Sequence, residues 1–233
     1  MDLFEAIRLR RSVRRFRPDP FPDEFISKAL EAAILAPNSS NTQTWDFIWI
    51  KGPKIKAKVV HACFSQSAAR TASQLVVVTA NPKNWKRSQK PLVKWVRELN
   101  VHKKIILYYE KIVPFTYRSG VFNVLAPPKW LATFLAGIFR PVTRGPFTWR
   151  GLQEVAVKSA ALASENFVLA ITAQGGATCM MEGFDEWRLK RYLKLRYSTQ
   201  IVMVIGVGYE SERGTWGPQF RLPLNEVVHV IED

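Results

Sequence analysis

The chain has 233 residues, 47% of them hydrophobic and 12% aromatic, and a formal net charge of +15. This composition excludes a disordered or collagen-like chain and is sufficient for the core of one large domain. The two cysteines, Cys63 and Cys179, argue against a disulfide framework and favour a reducing compartment. We expect a cytoplasmic protein, because the N-terminus lacks a signal-peptide pattern and the apolar stretches at 119–128 and 130–139 fall short of the roughly 20 residues that span a membrane.

Most of the net charge lies in residues 82–150, which we call the basic insert. This segment holds 14 Lys and Arg residues and two acidic residues, Glu98 and Glu110, so its net charge is +12. The remaining residues carry 20 basic and 17 acidic side chains, a net charge of +3. The sequence is therefore a nearly neutral protein with one strongly basic segment.

The first half of the chain predicts two helices, a polar loop and two strands. Asp2 and Glu5 have the spacing of a helix N-cap and its third helical residue, which predicts a helix start. We expect this helix to run through the arginine-rich residues 10–16 and to end at Pro18. The other predicted elements are a helix from Pro22 to Pro37, a polar loop over 37–44, a strand over Trp45–Lys51, a helix over Pro53–Ala62 and a buried strand over Gln74–Ala80.

The second half predicts a long buried helix and a third strand. Residues 152–173 combine helical periodicity with small side chains, and Gly175 and Gly176 end that helix. A loop over 177–184, a helix from Asp185 to about Lys194 and a strand over Thr199–Tyr209 follow. Three strands among helices favour an α+β layer structure, whereas the prolines of the basic insert predict a mixture of helix and loop.

Two polar segments are candidates for ligand binding. One is arginine-rich: Arg10, Arg11, Ser12, Arg14 and Arg15 place guanidinium groups and a hydroxyl where they match phosphate oxygens, although a solvated basic helix end has the same pattern. The other is the polar loop 37–44, whose amides and hydroxyls suit a polar ligand or ordinary turn chemistry.

The ordered set RRSVRRF, APNSSNTQTW, GGATCMMEGF, IVMVIGVGY and FRLPLNEVV resembles the FMN-dependent nitroreductase family. The resemblance covers about residues 2–81 and 151–230. It implies a nitroreductase-like α+β fold with a central mixed sheet flanked by helices, and an intertwined homodimer with FMN at the subunit interface. The chain, 1–233, is then one domain that carries the basic insert.

The resemblance also implies cofactor contacts. The phosphate or ribityl chain is contacted by Arg10, Arg11 and Ser12, the phosphate also by Arg221, and the pyrimidine edge by Arg14. The backbone of Met181, Glu182 and Gly183 lies at the flavin N5/O4 edge, and the middle of the chain contributes Ser65 or Gln66, of which Gln66 is preferred. The partner subunit contributes Pro37, Asn38, Ser39 and Asn41. Thr44 departs from the family's proline before the tryptophan, and Gln219 stands where some relatives have a second cation.

By the same resemblance, NAD(P)H reduces the flavin, and a nitroaromatic, quinone or similar acceptor then takes the electrons in a ping-pong mechanism. We therefore expect no catalytic side chain and no metal site. His61, His102 and His229 lie far apart in sequence, and neither cysteine has a CxxC partner. Gly206-Val207-Gly208 lacks a third glycine and is interpreted as strand packing rather than a dinucleotide fingerprint.

The basic insert allows several interpretations. Four roles are consistent with its sequence. The segment acts as a lid over a small aromatic or anionic acceptor, lies on a membrane surface through residues 129–140, binds nucleic acid, or is a solvated basic face on its own small core. The lid is favoured and nucleic acid is the weakest. The alternative functions are a specialised flavin enzyme, dehalogenase-like or flavin-fragmenting, and a non-enzymatic binder of anionic lipid or nucleic acid.

Overall fold

The computed structural model describes residues 1–99 and 101–232. Its helices and strands are α1 (Leu3–Leu9), α2 (Asp23–Ile34), β1 (Trp45–Ile50), α3 (Pro53–Ala62), α4 (Ser67–Thr71), β2 (Gln74–Ala80), α5 (Trp85–Glu98), α6 (Lys103–Leu107), α7 (Val113–Tyr117), α8 (Ala126–Phe139), α9 (Trp149–Ala173), β3 (Ala177–Met181), α10 (Glu186–Tyr192), β4 (Gln200–Gly208) and α11 (Leu224–Val227). A π-helical turn, Tyr108–Ile112, joins α6 to α7.

The strands form one sheet in the order β1-β2-β4-β3, and each neighbouring pair is antiparallel. In the centre of the sheet, Val77 of β2 lies opposite Ile48 of β1 and Val204 of β4. A parallel bridge between Ser12 and Thr178 is the parallel component of the sheet among the described residues. The predicted α+β fold, with a sheet between helices, is confirmed.

Each face of the sheet is covered by helices. On one face, α2 and α9 pack against Val76, Val78 and Ile205. On the other face, α3, α4 and α10 pack against Leu75 and Val77. Buried alanines on α9 let it lie close to the sheet. Within the described residues, α9 is also the one helix long and apolar enough to cross a membrane, but half of its apolar window is buried inside the protein, as in a core helix.

The expectation that the first helix continues through the arginines is wrong. α1 ends at Leu9, and the chain then runs extended along the sheet. The N–H of Val13 donates to Thr178 O over 2.9 Å, and the N–H of Arg17 donates to Tyr209 O over 2.8 Å. These backbone hydrogen bonds hold the segment against the sheet and bury Val13 and Phe16. A continued helix could not form them, because its backbone N–H groups would bond within the helix. The alternative of a solvated basic helix end therefore does not apply.

The loop predicted over 177–184 is half strand. Residues Ala177–Met181 form β3, whose Thr178 lies opposite Val207 of β4. Cys179 and Met181 are buried by this pairing. A short edge strand without a β-branched run has a weak sequence signal, and its contacts with β4 and with Ser12 decide its conformation.

The basic insert is more helical than its prolines predict. α5 continues past Pro91, and α6, the π-helical turn and α7 follow one another without interruption. A small core of its own, formed by Trp85, Val113 and Tyr117, is closed by Leu152 of α9. The insert is therefore anchored on the N-terminal end of the long helix.

The glycines at the end of β4 form a seat for Phe16. A Cβ atom at Gly208 would lie 3.1 Å from Cδ1 of Phe16, and one at Gly206 would lie 3.4 Å from its Cε2. The ring therefore lies directly on the strand backbone. These glycines serve packing, as the sequence analysis interprets them.

We predict that Phe16→Ala lowers the free energy of unfolding by about 3–5 kcal/mol, because it empties this seat. Phe139→Ala is the matched control, since that ring is 88% exposed, and we expect it to change stability by less than about 0.5 kcal/mol. Urea denaturation followed by circular dichroism measures both. Equal stability of the two variants would show that the ring does not hold the arginine segment on the sheet.

Candidate functional site

Four arginines from opposite ends of the chain lie together in one cleft of about 270 Å³, which we call the arginine cleft. Its lining residues are Arg10, Arg11, Ser12, Arg14, Thr215, Trp216, Gly217, Pro218, Gln219, Phe220 and Arg221. The structure thus brings together the N-terminal and C-terminal residues that the sequence analysis assigns to one phosphate.

The extended segment after α1 forms one wall of the arginine cleft. The N–H of Arg14 donates to Gly214 O over 2.6 Å, and its guanidinium lies 4.9 Å from the centre of the Trp216 ring. The guanidinium of Arg11 donates to Gly217 O. These contacts hold residues 214–217 against the arginines, and Arg221 lines the same cleft.

The arginine cleft is strongly electropositive. Among the residues that the structure describes, no Asp or Glu lines it. The carboxylate of Glu165, which does not line the cleft, lies 3.8 Å from Nε of Arg10. Within the described residues, Arg11, Arg14 and Arg221 form no ion pair, and such guanidinium groups suit a phosphate, which they contact through paired N–H donors.

A second predicted group lies after β3. Met181 is buried in the strand, whereas Glu182 and Gly183 are exposed immediately beyond it. Nε2 of Gln66 donates to Gly183 O over 2.8 Å. This hydrogen bond links the turn to Gln66, the predicted cofactor contact from the middle of the chain. No hydrogen bond from the N–H of Gly183 occurs in the described part of the chain, so this donor is free for a ligand.

Backbone strain marks the same place. Phe64 and Ser65, just before Gln66, both have positive φ, at 56° and 50°. Such conformations are costly for residues other than glycine and cluster at functional sites. The two groups share β3, since Ser12 is bridged to Thr178 and Met181 ends the same five-residue strand.

The polar loop lies elsewhere. None of its predicted residues, Pro37, Asn38, Ser39 and Asn41, is among the described residues that line the arginine cleft. Its backbone is strained, because Ser40, Asn41 and Gln43 have positive φ. Within the loop, Oδ1 of Asn38 accepts from the N–H of Gln43 over 2.8 Å. A hydrogen bond within the loop therefore supports this strained conformation, which carries amide and hydroxyl groups.

The basic insert packs on the polar loop. Oη of Tyr108 lies 2.7 Å from Oγ of Ser40, and Oγ of Ser88 donates to Thr42 O over 2.6 Å. Nη2 of Arg87 donates to Trp45 O over 3.0 Å. The sequence does not predict that Tyr108 and Arg87 lie beside the loop. The one feature that points to them is the high density of aromatic and basic residues in the insert.

A larger cleft, about 1150 Å³, lies between the insert and the body. Four cations line it: Lys83, Lys86, Arg118 and Lys190. The carboxylate on its wall, that of Glu186, accepts from the N–H of Ile201 over 3.2 Å. None of the thirteen predicted cofactor residues lines this cleft among those described.

No group of three or more His, Cys, Asp or Glu side chains placed to hold a metal ion occurs within residues 1–99 and 101–232. Nδ1 of His102 accepts from the N–H of Lys104 over 3.1 Å at the start of α6. That histidine therefore has a structural role as a helix cap.

The sequence model of the Nitroreductase family matches residues 7–209, a range that includes the basic insert. Protein DrgA of Synechocystis sp. is 28% identical over 213 residues, which are 91% of this chain and 86% of that protein. The NADH dehydrogenase of Thermus thermophilus is 25% identical over 230 residues, 98% of this chain and 95% of the relative.

Solved structures have the same fold. A nitroreductase structure from Exiguobacterium sibiricum, determined in complex with FMN, has a TM-score of 0.73 at 21% identity and covers 99% of this chain and 98% of its own. The alignment thus spans the basic insert as well as the body. Together with the family match over most of the sequence, this shows that the chain belongs to the nitroreductase family.

Proposed function

We propose that this chain is an FMN-dependent oxidoreductase that uses NAD(P)H to reduce small aromatic or anionic acceptors such as nitroaromatics and quinones. The observation that carries the proposal is the arginine cleft, where Arg10, Arg11, Arg14 and Arg221 meet without a lining carboxylate among the described residues. The phosphate of FMN carries about two negative charges at neutral pH, which these guanidinium groups can neutralise.

The chain's own residues fit the rest of the cofactor. Ser12 offers a hydroxyl beside the arginines, and the Arg14 guanidinium lies in the same cleft, over the Trp216 ring. Beyond β3, the free N–H of Gly183 can donate to the N5/O4 edge, while Gln66 fixes the carbonyl of the same residue. When bound, FMN supplies the electron transfer between NAD(P)H and the acceptor.

A homodimer completes this site. The polar loop lies outside the arginine cleft of its own chain, so we propose that it reaches the cofactor of the partner subunit. Residues 216–232 support this assembly, because every one of them is exposed. The segment includes large apolar side chains such as Phe220, Leu224, Val230 and Ile231, which favour contact with a second copy.

We propose that the insert selects the acceptor through its contact with the polar loop. Tyr108, hydrogen-bonded to Ser40, puts an aromatic ring beside the loop, and Arg87, which is ion-paired with Asp46, donates to the backbone at the loop's end. If the loop lies over the partner's flavin, these side chains border the position of the acceptor. A planar acceptor fits such surroundings.

We expect the purified protein to be yellow, with the visible absorbance of bound FMN, and to lose that absorbance on anaerobic titration with NADH or NADPH. The comparison of the two titrations also gives the nucleotide preference. A colourless protein that takes up no added FMN would contradict the proposal. Steady-state NAD(P)H oxidation with nitroaromatic, quinone and halogenated acceptors then separates a general reductase from a specialised flavin enzyme.

We predict that Arg221→Ala weakens FMN binding about 10- to 100-fold, because one charge-assisted hydrogen bond to phosphate is worth about 1.5–3 kcal/mol. Arg213→Ala is the matched control, since Arg213 is exposed nearby in sequence but does not line the arginine cleft. Fluorescence titration of the apoprotein with FMN measures both affinities. Unchanged affinity in Arg221→Ala would place the phosphate elsewhere.

Neither cysteine takes part in the proposed chemistry. Both are fully buried, and burial raises the pKa of the Cys63 thiol to about 12. Burial also raises the pKa of Cys179, although Arg14 partly offsets this effect. We predict that neither thiol of the native protein reacts with a disulfide reagent at about pH 8, where thiolate is scarce, and that both react after unfolding. Rapid labelling of one native thiol, followed by absorbance, would refute this.

A further inference from the structure

Helix α8 of the basic insert turns its large apolar side chains outward. Of its 14 residues, only Ala126 and Lys129 are buried. The six exposed large apolar side chains are Trp130, Leu131, Phe134, Leu135, Ile138 and Phe139. At roughly 100° per residue they cover about half of the helix circumference, as two adjacent columns. We call this half the apolar face of α8.

A buried lysine fixes this orientation. Nζ of Lys129 donates to the carbonyl oxygens of Phe115 and Arg118 at the end of α7. Thr133 and Ala136, one and two turns further along, lie on the same side as Lys129 and are only partly exposed. The helix is thus held to the protein by its polar side, which is the reverse of a helix that packs on a core.

The surroundings of the apolar face are cationic. No acidic residue occurs in the sequence from Lys111 to Gln153, whereas six basic residues do. Among them, Lys111, Arg118, Arg140, Arg144 and Arg150 are exposed. An apolar stripe with tryptophan near one end and cations at its flanks is typical of a helix that lies in the interface of a membrane.

Two partners fit this apolar face, a second copy of the chain and an anionic lipid surface, and the charge of the insert favours the lipid surface. If this face packed on the same face of a second copy, the contact would bring together two inserts, each with a net charge of +12. An anionic lipid surface instead attracts the same charge, by about 1 kcal/mol for each nearby Lys or Arg. At 14 residues, or about 21 Å, α8 is too short to span the bilayer and can only lie on it.

We propose that α8 docks this protein on anionic phospholipid bilayers, with its apolar face in the interface and the cations of the insert at the headgroups. The surface is separate from the arginine cleft, so its function does not depend on the proposed cofactor. The insert thereby has one side on the polar loop, through Tyr108, and another on the membrane.

The test is vesicle sedimentation of the full-length protein with phosphatidylcholine vesicles that contain phosphatidylglycerol, and with phosphatidylcholine vesicles alone. We expect binding to the anionic vesicles, much weaker binding to the neutral ones, and a loss of binding as salt is raised. No binding to the anionic vesicles would overturn the proposal, and equal binding to both kinds would overturn the role of the cations.

Matched variants locate the surface. Leu131→Gln/Leu135→Gln changes two leucines of the apolar face that are 53% and 50% exposed, and Leu99→Gln/Leu107→Gln changes two leucines of the insert outside α8 that are 51% and 52% exposed. We expect the first pair to weaken binding about tenfold or more and the second to leave it unchanged. Equal effects of the two pairs would show that α8 is not the docking element.

Two further measurements keep the proposal falsifiable. Ile138→Gln/Phe139→Gln, at the far end of the same face, is expected to weaken binding in the same way. Light scattering gives the mass of each variant in solution. A drop in mass for Leu131→Gln/Leu135→Gln alone would identify the apolar face as an interface between copies and would overturn membrane docking.

Discussion

The candidate site depends on one backbone pairing, that of the extended segment after α1 with the edge of the sheet. Val13 bonds to Thr178 on β3, Arg17 bonds to Tyr209 beyond β4, and the Phe16 ring fills the seat over two glycines. With these three anchors, the arginines have no freedom to follow the helix into solvent. Three of them, Arg10, Arg11 and Arg14, instead line one cleft together with residues of the C-terminal segment.

The same pairing explains what sequence reasoning could and could not predict. Strong local signals, such as the valine run of β2 and the proline that starts α3, give their elements nearly to the residue. The end of α1 and the existence of β3 have no such signal, because each depends on pairing with another part of the chain: residues 12–13 pair with Thr178, and β3 pairs with β4. The grouping of Arg10–Arg14 with Arg221 followed from resemblance, since spacing alone relates neither end of the chain to the other.

The strained backbone of the site shows why its residue types alone were ambiguous. Asparagine, serine and glutamine in a loop are ordinary turn residues. What distinguishes the polar loop is that Ser40, Asn41 and Gln43 are held at positive φ while the insert packs over them. Conformation of this kind is imposed by the surrounding structure and has no counterpart in composition, so the fold was needed to show it.

The uneven distribution of charge has a consequence for how this protein meets anything negatively charged. With a body at +3 and an insert at +12, the centre of positive charge lies toward the insert. A negatively charged surface or ligand therefore attracts the protein and also turns it, so that the insert faces that surface or ligand before contact. Within about a Debye length, 8 Å at physiological salt, encounters become biased toward the insert, so orientation precedes recognition.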